Sequence, residues 1–453
     1  MNNNLFDDFD AVSSKQWKQK IQFDLNGADY NNTLVWKSNE DIHVKPFYHA
    51  DDLNKLPERS NTRASEWKIC QTIFVADIKK SNLKARDISE RGADSIKFIL
   101  PTPDISIAAL ITDLNTDKTA LFFELQYLSE THVKQILKLV PNAKICLDII
   151  GKLSQSGNWY QSLNDDFKSF ESIFKITNSF SVNSGTYQNA GANMVQQIAY
   201  TLAHANEYLN ALNQSKTNLK SLNAIFNVSI GPNYFFEIAK LRALRKLWHI
   251  LALEYGSNTN CHIVATPTKR NKSIYDYNNN LLRTTTECMS AILGGANTIE
   301  NLPYDALYHK SNEFGERMAR NQLLILKHES YFDKVNNPAD GAYYIETITD
   351  QLSEKALNLF KDIEKQGGFL SQLKTGTIQR KITESTQKEQ DQFDKGSEII
   401  VGINKYPNPK DKMKNELELY PFLKIQTRKT LIAPIIEKRL SEQLEQKRLK
   451  DEN

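Results

Sequence analysis

The chain has 453 residues, enough for one large domain or two ordinary ones, and its 40% hydrophobic and 25% charged content is a globular mix that excludes global disorder. A net charge of +3 and a pI near 8.4 are too balanced to point to nucleic acid. Mean hydropathy is −0.52, and no apolar run approaches the ~18 residues that span a bilayer, so no membrane segment is expected.

The first residues, MNNNLFDDFD, are acidic and lack an apolar stretch, so no secretory signal is read there. Four cysteines (Cys70, Cys146, Cys261, Cys288) are widely spaced without a C-x-x-C, and three lie in or beside apolar runs. That usage predicts buried, reduced thiols and a cytoplasmic location.

Residues 1–66 read as an arm without a core of its own: a helix from Ser14 to Phe23, then an extended strap. Alternating apolar residues and Pro46 argue against continued helix. Trp36, Phe47 and Tyr48 require a surface to pack on. Residues 67–340 alternate short apolar runs with helical patterns. The runs are 70–75, 95–100, 120–125, 144–149, 179–183, 224–230, 262–266 and 297–299. Helices are predicted over 83–93, 131–140, 193–212 and 273–293. Gly92 and Gly256 stand where helices stop. Around 241–251, Leu241, Leu244, Trp248 and Leu251 form an apolar stripe opposite Lys240 and Lys246, and Phe314, Met318 and Ile325 form another. Residues 341–453 read as a helical region, with Leu352, Ala356, Leu359 and Ile363 on one face, ending in a charge-rich tail taken as a solvated helix.

Eight strand–helix alternations suit an α/β fold of the (β/α)8 TIM-barrel type, and an open doubly wound sheet satisfies the same count. The run GPNYFFEIAKLRALRKLW (231–248) helps decide, because it resembles the G-x-N-[FY]-F-x-E-x-A-K-x-R-A-x-R-x-L-W string of the adenosylcobalamin-dependent acyl-CoA mutases, the methylmalonyl-CoA mutase group. Further matches are Arg317-Met318-Ala319-Arg320-Asn321-Gln322-Leu323, the strap pattern Leu34, Trp36, Glu40, Ile42, Val44, Pro46, Tyr48, and GINKY at 402–406. The resemblance implies the barrel, with the strap serving as a partner contact through Trp36, Pro46 and Tyr48.

It also implies a chemistry that this sequence lacks. Catalytic members place R-T-H-S-Q-T-S-G after the seventh strand. The register set by Asp276, Asn279, Asn280 and Arg283 puts Val264 at that histidine's place, with His262 two residues away. The following H-T-Q-S-L-H-T-N string becomes Gly295 to Leu302, including Asn297 and Glu300, whose carboxylate would repel an anionic CoA ester. Gln188 keeps the place of a family glutamine, as a vestigial ligand or as a plain helix-start residue. The family's D-x-H-x-x-G cobalamin motif is matched only as far as Asp41-Ile42-His43, with Pro46 where glycine belongs. The stretch after Tyr406 is far shorter than the ~100–150 residues of a cobalamin domain.

The expectation is therefore a barrel with no catalytic, cofactor-binding or metal residues. Gln188, Val264, Asn297 and Glu300 would mark a vestigial pocket. Adenosylcobalamin would belong to a homologous large catalytic subunit in a heterodimer. Two alternatives stand beside it: a competent barrel acting with a separate cobalamin-binding chain, and a stand-alone ligand-binding barrel.

Overall fold

The computed structural model describes residues 9–53, 62–423 and 428–452; the stretch 54–61, part of the expected strap, lies outside them. The arm opens with the helix Ser14–Asp24, whose first turn is closed by a reciprocal cap between Ser13 and Gln16. It buries no residue, and Trp17 stacks on Phe47 at 5.4 Å. A short helix, Tyr30–Leu34, follows. The strap then folds back as a hairpin of β1 (Trp36–Lys37) and β2 (His43–Val44), antiparallel, turning at Asp41 with φ 56°. The arm packs on its own barrel. Ile42 is buried in the main core, Trp36 lies edge-on to Phe236, and Tyr48 sits 5.3 Å from Tyr344. Glu40 accepts a hydrogen bond from the Met194 amide at 3.2 Å, and burial pushes its carboxyl pKa up. Trp36 remains 51% exposed and Pro46 is exposed.

The eight apolar runs become eight strands: β3 (Lys68–Phe74), β4 (Ser95–Leu100), β5 (Ala120–Leu125), β6 (Lys144–Cys146), β7 (Ser179–Asn183), β8 (Asn223–Ile230), β9 (Cys261–Pro267) and β10 (Thr298–Glu300). Neighbours in sequence are neighbours in space, and every ladder among them is parallel. β10 returns to β3, and the seam between β6 and β7 is bridged by the Ser181 amide donating to the Leu147 carbonyl at 3.2 Å. This is a (β/α)8 barrel. Strand side chains alternate between two destinations. Ile96, Phe98, Leu121, Phe123, Phe180, Phe226 and Ile263 join the surrounding helices in the main core, while Phe122, Cys146, Ile225 and Val264 form a small separate cluster inside the barrel.

Three expectations need correction. The helix predicted over 273–293 begins only at Asn279, because the Ile274 amide is held by Glu445 in a loop. In the helix Tyr234–Glu254, Lys240 is buried rather than solvated. In the helix Glu313–His328 the buried face carries Gly315, Ala319, Arg320, Leu323 and Leu326, while Phe314 and Ile325 are exposed.

Beyond the helices Tyr343–Lys365, Gly368–Lys374 and Thr377–Asp394, the chain builds a second small core. There Phe393, Ile400, Ile403, Met413, Phe422 and Leu440 enclose Ile274, Tyr275 and Tyr308 from the loops after β9 and β10. The last helix, Glu442–Asp451, is not the solvated tail its charge suggests. Glu445 is fully buried and pairs with Arg439 at 2.7 Å, and Glu452 accepts from the Met413 and Lys414 amides and from the Tyr275 hydroxyl.

Candidate functional site

Barrel enzymes hold their chemistry at the C-terminal ends of the strands. Here that mouth is crossed by the chain's own C-terminal segment, tied down by backbone hydrogen bonds. The amides of Leu431 and Ile432 donate to the Gly157 carbonyl, Ile435 to Ser154 at 2.7 Å, Lys438 to Asn189 at 3.0 Å, and Leu440 to Arg270 at 3.1 Å. These acceptors follow β6, β7 and β9. The approach is close: Gly157, at φ 75°, has room for no side chain, since a Cβ there would stand 2.6 Å from the Ile432 carbonyl. Arg439 adds a hydrogen bond to the Lys272 carbonyl at 3.0 Å, and Arg270 pairs with Glu389 at 2.6 Å.

Below the mouth, the barrel's own side chains fill the interior. Glu300, at the end of β10, pairs with Lys97 of β4 at 2.5 Å. Burial works against the Lys97 charge, but Glu300 and Glu124 outweigh it and hold the pKa above the usual lysine value. Val264 is buried against Phe122, Cys146 and Ile225. At the N-terminal end, Lys144 Nζ lies 3.0 Å from His262 Nδ1, and His262 Nε2 lies 2.9 Å from the Thr298 hydroxyl. Burial, then the Lys144 and Arg245 charges, push the His262 pKa down to about 3, so the imidazole is neutral near pH 7. Burial pushes the Lys144 pKa down to about 8.

Of the four residues expected to mark a vestigial pocket, Gln188 and Asn297 are engaged in networks of their own. Gln188, in the short helix Gly185–Asn189, is committed to an internal network: its Oε1 accepts from Lys240 Nζ at 3.1 Å. Lys240 also donates to Gln197 Oε1 and the Ser229 carbonyl and pairs with Glu237 at 2.5 Å. Asn297 precedes β10 at the opposite end of the barrel from Glu300, where its Oδ1 accepts from Arg245 and from the Ile263 amide. Glu300 also differs from its expected part, because Lys97 neutralises it.

Two groups of residues escaped the sequence reading. Lys240 was signalled by Glu237 three residues before it. The buried Asp148–His204–Tyr187 relay, with His204 Nε2 2.9 Å from Asp148 and Nδ1 2.8 Å from the Tyr187 hydroxyl, left no spacing signal because its members are far apart in sequence. Among the described residues no group of three His, Cys, Asp or Glu is placed to hold a metal, and no helix is long and apolar enough to cross a membrane.

Fold and strand order define a (β/α)8-barrel protein. The family model for methylmalonyl-CoA mutase matches residues 102–450, and the chain belongs to that isomerase-related enzyme family. It is 35% identical to the methylmalonyl-CoA mutase small subunit of Porphyromonas gingivalis, over 89% of this chain and 71% of that protein. Against the methylmalonyl-CoA mutase of Rhizobium meliloti it is 36% identical over 86% of this chain and 64% of that one, and against that of Cereibacter sphaeroides 28% over the same shares. The chain thus spans less than two thirds of the length of these last two relatives.

Proposed function

We propose that this chain is the non-catalytic small subunit of a heterodimeric, adenosylcobalamin-dependent methylmalonyl-CoA mutase, and that it stabilises a homologous large subunit that converts methylmalonyl-CoA to succinyl-CoA. The observation that carries this reading is the covered mouth. A segment from 428 to 445 is tied to the loops that follow β6, β7 and β9, on the rim where substrate and cofactor would have to enter, and the interior below is packed. The residues present do not fit a corrin either. His43, the one histidine in a D-x-H, is exposed on β2. The small-subunit relative supports a partner of the same family.

For the docking surface, the arm supplies the candidates. Trp36 is half exposed beside the buried Phe236 and Phe235 beside the half-buried Tyr344, so they offer apolar area already held in place. Tyr48 is turned toward Tyr344 of its own chain.

Co-expression with the large subunit followed by size-exclusion chromatography tests the proposal. A stable complex is expected, with corrin absorbance absent from the small chain run alone. Trp36→Ala should weaken the complex tenfold or more while leaving this chain folded, whereas Tyr48→Ala should chiefly loosen the arm. Stoichiometric corrin on the lone chain, or a wild-type chain that elutes apart from the large subunit, would overturn it.

A further inference from the structure

Between β3, β10 and the helix Glu313–His328 lies a cavity of about 140 Å³, whose wall includes Gln71, Thr72, Glu300, Asn301, Glu316 and Arg320. A water takes about 30 Å³ in the liquid, so the space suits a few waters or one small ion. Among the described residues, two polar atoms in the wall are buried without a partner: Thr72 Oγ1 and Arg320 Nε.

Arg320 is 94% buried, counting from its 6% exposure, and makes one hydrogen bond, from Nη1 to Gln71 Oε1 at 2.8 Å. It has no ion pair among the described residues. The two carboxylates in the wall are already engaged. Glu300 is held by Lys97 at 2.5 Å, and Glu316 by Lys84 at 2.5 Å and by Gln71 Nε2 at 2.7 Å. Farther out, Asp87 and Glu313 are engaged by Arg91. Among the described residues, then, the Arg320 guanidinium is buried against an open space with no carboxylate within ion-pair distance. Buried charges in proteins are paired or coordinated, because isolating one from water is expensive.

We propose that this cavity binds a small monocarboxylate, with the Arg320 guanidinium as its counter-ion and the Thr72 hydroxyl as a second donor. A planar fork of N–H donors matches a carboxylate. The volume admits an ion of acetate size. Arg320 supplies one positive charge, and Lys97 and Lys84 are already taken up by Glu300 and Glu316, so the second charge of a dianion such as sulfate would stay uncompensated. The inference is independent of the heterodimer reading, as it concerns this chain alone.

Isothermal titration of the purified full chain with sodium acetate, against sodium chloride and sodium sulfate at matched ionic strength, is the test. Saturable binding of one acetate is expected, with sulfate weaker. Arg320→Gln should weaken acetate at least tenfold and Thr72→Val severalfold. Arg320→Lys keeps the charge but loses the fork, so it should fall between them and decides the matter if Arg320→Gln does not fold. Glu300→Gln should narrow the gap between acetate and sulfate. No acetate binding above the chloride control, binding unchanged in Thr72→Val and Arg320→Lys, or sulfate binding tighter than acetate would each overturn the assignment.

Discussion

The two ends of the barrel treat buried charge in opposite ways. Toward the C-terminal mouth the buried cations described above, apart from Arg320, have carboxylates, Lys97 with Glu300, Lys240 with Glu237, Arg270 with Glu389 and Arg439 with Glu445, and so does Lys272, with Glu287 at 2.7 Å. At the N-terminal end the partners of Lys144 among the described residues are a neutral imidazole and the face of Phe122, 4.9 Å from the ring centroid. The closed end has a fixed set of compensated charges, and the other end carries a cation that burial drives toward its neutral form. Substitutions at the two ends should therefore change stability with opposite sign.

The largest effect is expected at Lys272. Its side chain and that of Glu287 are each 1% exposed, so Lys272→Met leaves a carboxylate buried without its cation and should cost about 3–5 kcal/mol by urea unfolding. The double change Lys272→Met/Glu287→Leu should recover most of that loss, because a matched apolar pair leaves no charge behind. A double variant no more stable than the single one would break the contrast.

At the other end, Lys144→Met should stabilise the chain near pH 7. Folding lowers this amine's pKa from 10.5 to about 8. Below about 8 both folded and unfolded chains hold the proton, and the penalty, on the order of 3 kcal/mol, is present in full. From there to 10.5 the unfolded chain binds more protons, so stability climbs with pH. Lys144→Met should flatten that climb, which unfolding curves taken across pH 7 to 10.5 would read directly.

A smaller effect, about 1–2 kcal/mol, is expected for Gly157→Ala. It puts a Cβ at a left-handed position and against the Ile432 carbonyl. Hydrogen exchange should show the amides of Leu431 and Ile432 loosened while those of β8 keep their protection.

Much of the barrel could be read in advance because parallel strands covered on both faces appear as short, nearly continuous apolar runs. Even the weak run at 297–299 lies within two residues of β10. What periodicity misjudged were helix faces and charges. Phe314 and Ile325 looked like a core stripe, yet the helix Glu313–His328 buries a neighbouring strip of Gly315, Ala319, Leu323 and Leu326 together with Arg320. Lys240, Arg439 and Glu445 looked solvated because a charge pattern shows who is charged, and not which charges meet inside. The same blindness hid the C-terminal segment across the mouth. Many of its contacts are main-chain hydrogen bonds, to Gly157, Ser154, Asn189 and Arg270, and main-chain groups leave no trace in residue types.

That segment also sets an order of events during synthesis. Leu431 donates to Asn158 and Arg428 to Ser156 across 273 and 272 residues of sequence. At ribosomal rates of about 5–20 residues per second, roughly 15–50 s separate the appearance of one side of these bonds from the other. Over that interval the strands can pair and the helices dock while the mouth still stands open to solvent. Closure is therefore a late step of maturation, and a small molecule or chaperone that must reach the barrel's upper rim has that interval in which to do so.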